Sequence, residues 1–101
     1  MSHTIHSRSE IPDAQLYVLS NDTFMSGWGE AKDRTNTVIL PCASLEEAYT
    51  VEANAKRRGD QRNVRLCINK PRMRRGVLYS LLTRENASAW YEKGAFCRCS
   101  A

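Results

Sequence analysis

A strand, a capped helix and a second strand follow one another between Thr37 and Asn69, and this unit restricts the available folds more than any other feature. Thr37–Cys42 (TVILPC) is an apolar, β-rich run whose Pro41 marks a strand end or a sheet edge. Ser44-Leu-Glu-Glu47 reads as a capping box, with the Ser44 hydroxyl accepting from the amide three residues on and Glu47 reaching back. The spacing predicts a helix to about Arg58, with Leu45, Ala48, Val51 and Ala55 as its buried stripe and Gly59 as its stop. Asn63–Asn69 then alternates, with Val64, Leu66 and Ile68 inward and Arg65 and Cys67 outward. Such a helix is long enough to cross over and leave its two strands parallel, with a right-handed connection.

The flanking segments complete the pattern. Gln15–Ser20 is a short strand with Leu16 and Val18 on one face and Tyr17 and Leu19 on the other. Asn21–Asn36 has neither a helical nor a strand period. Lys70–Gly76 is a basic turn bounded by Pro71 and Gly76, and Val77–Leu82 is a fourth strand. Thr83 caps a final helix from Glu85 to about Lys93, which carries Trp90 and Tyr91 and ends at Gly94. The short connection from Ile68 to Val77 suits an antiparallel neighbour. The order ββαββα therefore predicts an α+β two-layer sandwich: a four-stranded mixed sheet, two helices on one face, and the other face partly open. A flexible leader (1–14), one domain (15–96) and a short tail (97–101) are the expected boundaries, and no internal repeat is present.

Composition sets the scale. With 101 residues, the chain has no room for a doubly wound nucleotide fold or a (β/α) barrel. Leu, Ile, Val and Phe together number nineteen, and ten further apolar positions are Ala, so the expected core is thin. No apolar run approaches the roughly 18 residues that span a membrane. The polar opening has no signal-peptide stretch, so a cytoplasmic location is expected. Charge is uneven. Residues 1–55 hold three basic residues against eight acidic ones, and residues 56–101 hold twelve against three. Net charges of −5 and +9 suggest an electropositive face suited to phosphate or to an acidic protein surface, unless the fold interleaves and neutralises the halves.

Two segments are candidate contact sites. The long aperiodic stretch carries Phe24, Met25 and Trp28 beside Gly27 and Gly29; such side chains either fold back as a lid on the thin core or meet a partner. The basic set comprises Lys56, Arg57 and Arg58 at the helix end, Arg62 and Arg65, and Lys70, Arg72, Arg74 and Arg75 in the turn. It can track a phosphate backbone or an acidic partner, although cations at a helix C-terminus also complement its dipole without any ligand. Four cysteines in a cytosolic context do not argue for disulfides. Cys97-Arg-Cys99 lacks the spacer of common zinc knuckles, which leaves His3, His6, Cys97 and Cys99 as a weak metal set that requires the termini to meet. No phosphate-cradling, H-E-x-x-H or G-x-S-x-G motif is present, and Glu52 with Lys56 reads as a helix-surface ion pair. No catalytic residue and no cofactor are expected.

Taken together, Gln15–Gly29 (QLYVLSNDTFMSGWG), SLEEA, NKPR at Asn69–Arg72 and Leu78–Gly94 (LYSLLTRENASAWYEKG) resemble small accessory proteins of tailed bacteriophages and prophages. The resemblance spans about 80 residues, from Gln15 to Phe96, and its most specific element is the DTFMSGWG loop. It carries no activity and no site residue to this chain. It implies a setting: a non-enzymatic protein that binds a host protein or nucleoprotein complex, such as an anti-CRISPR-like inhibitor of host defence. A direct DNA- or RNA-binding module is the alternative, and a small nuclease or hydrolase is the third. The carboxylates of the acidic half, if gathered on one face, would mimic nucleic-acid phosphates.

Overall fold

The structure, a computed structural model, describes residues 3–22, 35–58, 61–75 and 77–95. Among these residues, five strands form one mixed sheet: β1 (His3–Ile5), β2 (Leu16–Asp22), β3 (Thr35–Cys42), β4 (Gln61–Cys67) and β5 (Val77–Leu81). Their order across the sheet is β1-β5-β3-β2-β4. The β3–β5 pair is parallel and the other pairs are antiparallel. One helix, α1 (Leu45–Arg57), packs on the sheet. It starts where the capping box places it: Ser44 Oγ accepts from the Glu47 N–H at 3.1 Å, and Glu47 Oε1 accepts from the Ala43 N–H at 2.8 Å.

Strand alternation sorts the core into two layers. Val18, Val38, Leu40 and Cys42 face α1, where they meet Ala48, Val51, Ala55 and the aromatic pair Trp90 and Tyr91. Tyr17, Leu19, Ile39, Tyr79 and Leu81 face the other way. Towards one end of the helix-side layer the buried groups become polar, and each has a partner. Ser20 Oγ donates to Gln61 Oε1 at 2.6 Å, and Ser80 Oγ donates to Asn36 Oδ1 at 3.0 Å.

The α+β class and the mixed sheet agree with the sequence; four strands and two helices do not. The leader is not loose. It supplies β1, whose His3 lies opposite Leu81 and whose Ile5 lies opposite Tyr79. Beyond a 3-10 turn (Arg8–Glu10) it buries Ile11, which is 1% exposed. The face opposite α1 is therefore covered rather than open. The final helix is only a 3-10 turn, Ser88–Tyr91. Asn54 Nδ2 donates to the carbonyls of Trp90 and Glu92 at 2.9 and 2.7 Å, so these acceptors are engaged by a side chain rather than by a continuing helix. Thr83 does not cap a helix; its N–H donates to Asn86 Oδ1 at 2.7 Å, which closes a local turn. The phenol of Tyr91 lies 2.9 and 3.1 Å from the carbonyls of Pro41 and Leu82, to which it donates. Leu45 and Ile68, both expected inside, are 51% and 74% exposed.

The connections also differ from the expectation. The strands joined by α1, β3 and β4, do run parallel, but β2 lies between them. Strands β4 and β5 are not antiparallel neighbours. They run in the same direction with two strands between them. The nine residues from Ile68 to Gly76 must therefore return along the sheet as well as cross it. Three strand spacings and a five-residue rise amount to about 22 Å on the diagonal. Nine helical residues would cover only about 14 Å. The connection accordingly crosses as an extended strap on the face opposite α1, with Pro71 buried and Met73 packed against the second core layer. Moving in opposite directions on opposite faces, the two crossovers share one hand, as sheet twist requires.

Candidate functional site

Two tyrosines pin the outer segments to the sheet in the same way. Tyr17 on β2 accepts from the Ala14 N–H at 3.0 Å and donates to the Pro12 carbonyl at 2.9 Å, which holds the leader. Tyr79 on β5 accepts from the Arg74 N–H at 3.0 Å and donates to the Arg72 carbonyl at 3.3 Å, which holds the strap. Met73 turns into the core between two anchored neighbours, so Arg72 and Arg74 are left exposed on the strap.

Between the strap and the sheet lies a groove of about 520 Å³. Arg72 and Arg74 line it from the strap, and Arg65 and Asn63 line it from β4. Asn21 and Thr37 also line it, and Leu19, Pro71, Val77 and Tyr79 complete the lining. A bulge aims the β4 side chains. Leu19 pairs with Arg65 but Asn21 pairs with Arg62, so β4 carries one extra residue there, and Asn63 takes the left-handed conformation with φ 54°. Asn tolerates that conformation better than most residues, and bulges commonly redirect side chains beside binding sites. Arg65 is held by a 2.8 Å hydrogen bond from its guanidinium to the Asn63 carbonyl. Among the described residues, no ion pair or side-chain hydrogen bond engages the guanidinium of Arg72 or Arg74. Three cations and two amides thus converge on one concavity, where the buried Thr37 hydroxyl donates to Asn21 Oδ1 at 3.4 Å. These groups donate hydrogen bonds to anionic oxygens, and arginine does so in a fork that matches phosphate.

A second groove of about 500 Å³ shares Arg72 and lies between the strap and the leader. Here the cations are partnered. Lys70 Nζ sits 2.9 Å from Asp13 Oδ1, and an Arg8 guanidinium nitrogen donates to the Lys70 carbonyl at 3.2 Å. The hydrogen bond from Lys70, followed by its charge, holds the Asp13 carboxyl below its ordinary value. Two other described acids of the first half are also paired: Glu47 with Arg84, and Glu52 with Lys56 at 3.7 Å. Glu30 and Asp33 lie outside the described residues.

The predicted basic set is therefore divided. Lys56, Arg57 and Arg58 lie at the end of α1, on the opposite layer from the strap. Arg58 stacks over the Trp90 ring at 4.8 Å. Lys70 is paired, Arg75 is exposed, and only Arg72 and Arg74 join the groove, together with Arg65. The sequence reading placed Arg65 among outward cations but missed Asn21, Asn63, Thr37 and Tyr79, because a bulge and a parallel crossover bring them together. Phe24, Met25 and Trp28 lie outside the described residues, as do Cys97 and Cys99. His6 is exposed, and its backbone N–H donates to Glu10 Oε2 at 2.6 Å. Among the described residues, no group of three His, Cys, Asp or Glu side chains is placed to hold a metal ion. No helix among them is long and apolar enough to cross a membrane.

Compared with known proteins, the chain matches no family model, no curated protein and no solved structure.

Proposed function

We propose that this protein is a non-enzymatic binding module that holds a single-stranded nucleic-acid backbone in the arginine-lined groove. The setting is the one the phage-protein resemblance implies, a host nucleoprotein complex. One observation carries the reading: Arg65, Arg72 and Arg74 converge from two separate elements on one groove beside Asn21, Asn63 and Thr37. A groove of about 520 Å³ walled on one side by the strap suits a single strand better than a duplex. The amide side chains of Asn21 and Asn63 suit base edges, and guanidinium planes suit both phosphate and base stacking.

Salt dependence tests this reading. Three neutralised phosphates on a single strand give a slope of log affinity against log salt of about −2. Raising salt from 50 to 200 mM then weakens binding by about 20-fold. Fluorescence anisotropy of a labelled twelve-nucleotide strand measures the slope directly. Changing Arg72 and Arg74 to Ala reduces it to about −0.7. No binding of any such strand at 50 mM salt, or a slope untouched by the double change, overturns the assignment.

A further inference from the structure

The large apolar side chains that stand most exposed are not scattered. Among the described residues these are Leu45, Tyr49 and Ile68, which are 51%, 54% and 74% exposed. Leu45 and Ile68 line one apolar groove of about 650 Å³ together with Leu16 and Leu66. Tyr49 is one helical turn on from Leu45, on the same flank of α1. The opposite flank is already used, since Asn54 binds the final 3-10 turn and Glu47 pairs with Arg84. The Leu45–Tyr49 flank therefore borders β4.

Strand β4 is the edge of the sheet, and it is seven residues long. Among the described residues only β2 pairs with it, so one side of its backbone presents N–H and C=O groups in strand geometry. An edge strand beside an apolar helix flank is the arrangement that receives an added strand: backbone hydrogen bonds supply affinity, and alternate side chains fill the flank. Charge selects the occupant. Arg62 and Arg65 project from β4, and Lys56 and Arg57 stand at the near end of α1, with Glu52 engaged by Lys56. A second copy of β4 would bring another Arg62 and Arg65 to the same edge, and in the registers that oppose them the like charges destabilise cross-strand pairing.

We propose that β4 accepts an extended partner segment that alternates apolar and acidic residues. Its apolar residues pack on Leu45, Tyr49 and Leu66, and its carboxylates face Arg62 and Arg65. The site shares Arg65 with the nucleic-acid groove but does not rest on that reading, because its apolar contacts lie on the helix side of the sheet.

The test uses the full chain and a labelled seven-residue peptide alternating Glu and Val. Alternating Glu/Ser and Lys/Val peptides are the controls. The Glu/Val peptide binds at least tenfold more tightly than either control, and amide exchange slows at every second residue of β4. Leu45→Asp with Tyr49→Asp weakens that binding at least tenfold, and Arg62→Glu weakens it separately, while the salt slope for the oligonucleotide is unchanged. Equal affinity for the Glu/Val and Glu/Ser peptides overturns the proposal, as does binding without protection in β4. Sedimentation showing a dimer that protects β4 without any peptide also overturns it and assigns the edge to a second copy.

Discussion

Tyr79→Phe isolates how the strap is held from how it is charged. The change deletes one oxygen and with it two hydrogen bonds, at 3.0 Å from the Arg74 N–H and 3.3 Å to the Arg72 carbonyl. The ring stays in the core, where the residue is 5% exposed, so no cavity opens beyond the lost hydroxyl. At about 1 kcal/mol net for each bond, with the half-buried Arg74 N–H left unsatisfied, the loss is about 2 kcal/mol. For a domain of this size that lowers the melting temperature by about 8 to 16 °C. Urea titration followed by tryptophan fluorescence reads it as a shifted midpoint at constant slope. The charge on the groove does not change. Oligonucleotide affinity therefore falls because Arg72 and Arg74 lose their fixed separation, while the salt slope keeps its wild-type value. A variant with wild-type stability and wild-type affinity refutes the anchoring argument. A slope reduced by a full phosphate contact refutes the separation of positioning from charge.

Two further outcomes follow from the same packing. Ile11→Ala removes a side chain that is 1% exposed in the second core layer and costs about 2 to 5 kcal/mol by urea titration; a change below about 0.5 kcal/mol would be that of a surface position and contradicts a folded leader. Burial pushes the Cys42 thiol up to about 11, opposed by the charge of Arg84, so the native chain keeps a proton that the unfolded chain releases from about pH 9 upward. Stability attributable to this thiol is fully present below pH 8 and falls between about pH 9 and 11, by about 3 kcal/mol at most. The Tyr91 phenol, raised first by burial and then by Cys42, acts in the same direction at still higher pH. The difference in unfolding free energy between wild type and Cys42→Ala, followed from pH 7.5 to 10.5, measures the thiol together with its coupling to Tyr91, and a constant difference refutes the burial argument.

What the sequence revealed and what it concealed divide along local and non-local lines. The capping box placed the start of α1, and alternation in Leu16–Leu19 sorted its side chains onto the two correct faces, because both signals act within a few residues. The leader was concealed because Ile5 and Ile11 are isolated apolar residues among polar ones, with no period to mark them. Their burial depends on a β5 edge more than 60 residues away. The strap was misread because a short Pro- and Gly-bounded connection is ordinarily a hairpin, whereas here the strand directions oblige it to cross the sheet. Leu45 fell out of its expected stripe because the axis of α1 turns Ala48, Val51 and Ala55 to the sheet and leaves the first turn at its margin. The groove inherits both misreadings, since its walls come from the strap and from a bulge that no short-range pattern announces.

The pairing of β1 with β5 has a consequence for biosynthesis. His3 sits opposite Leu81, 78 residues later in the chain. At about 5 to 20 residues per second, a ribosome takes about 4 to 16 s to make that stretch. Throughout that interval the first strand has been translated but its partner has not, so the sheet can close only after Leu81 has been added.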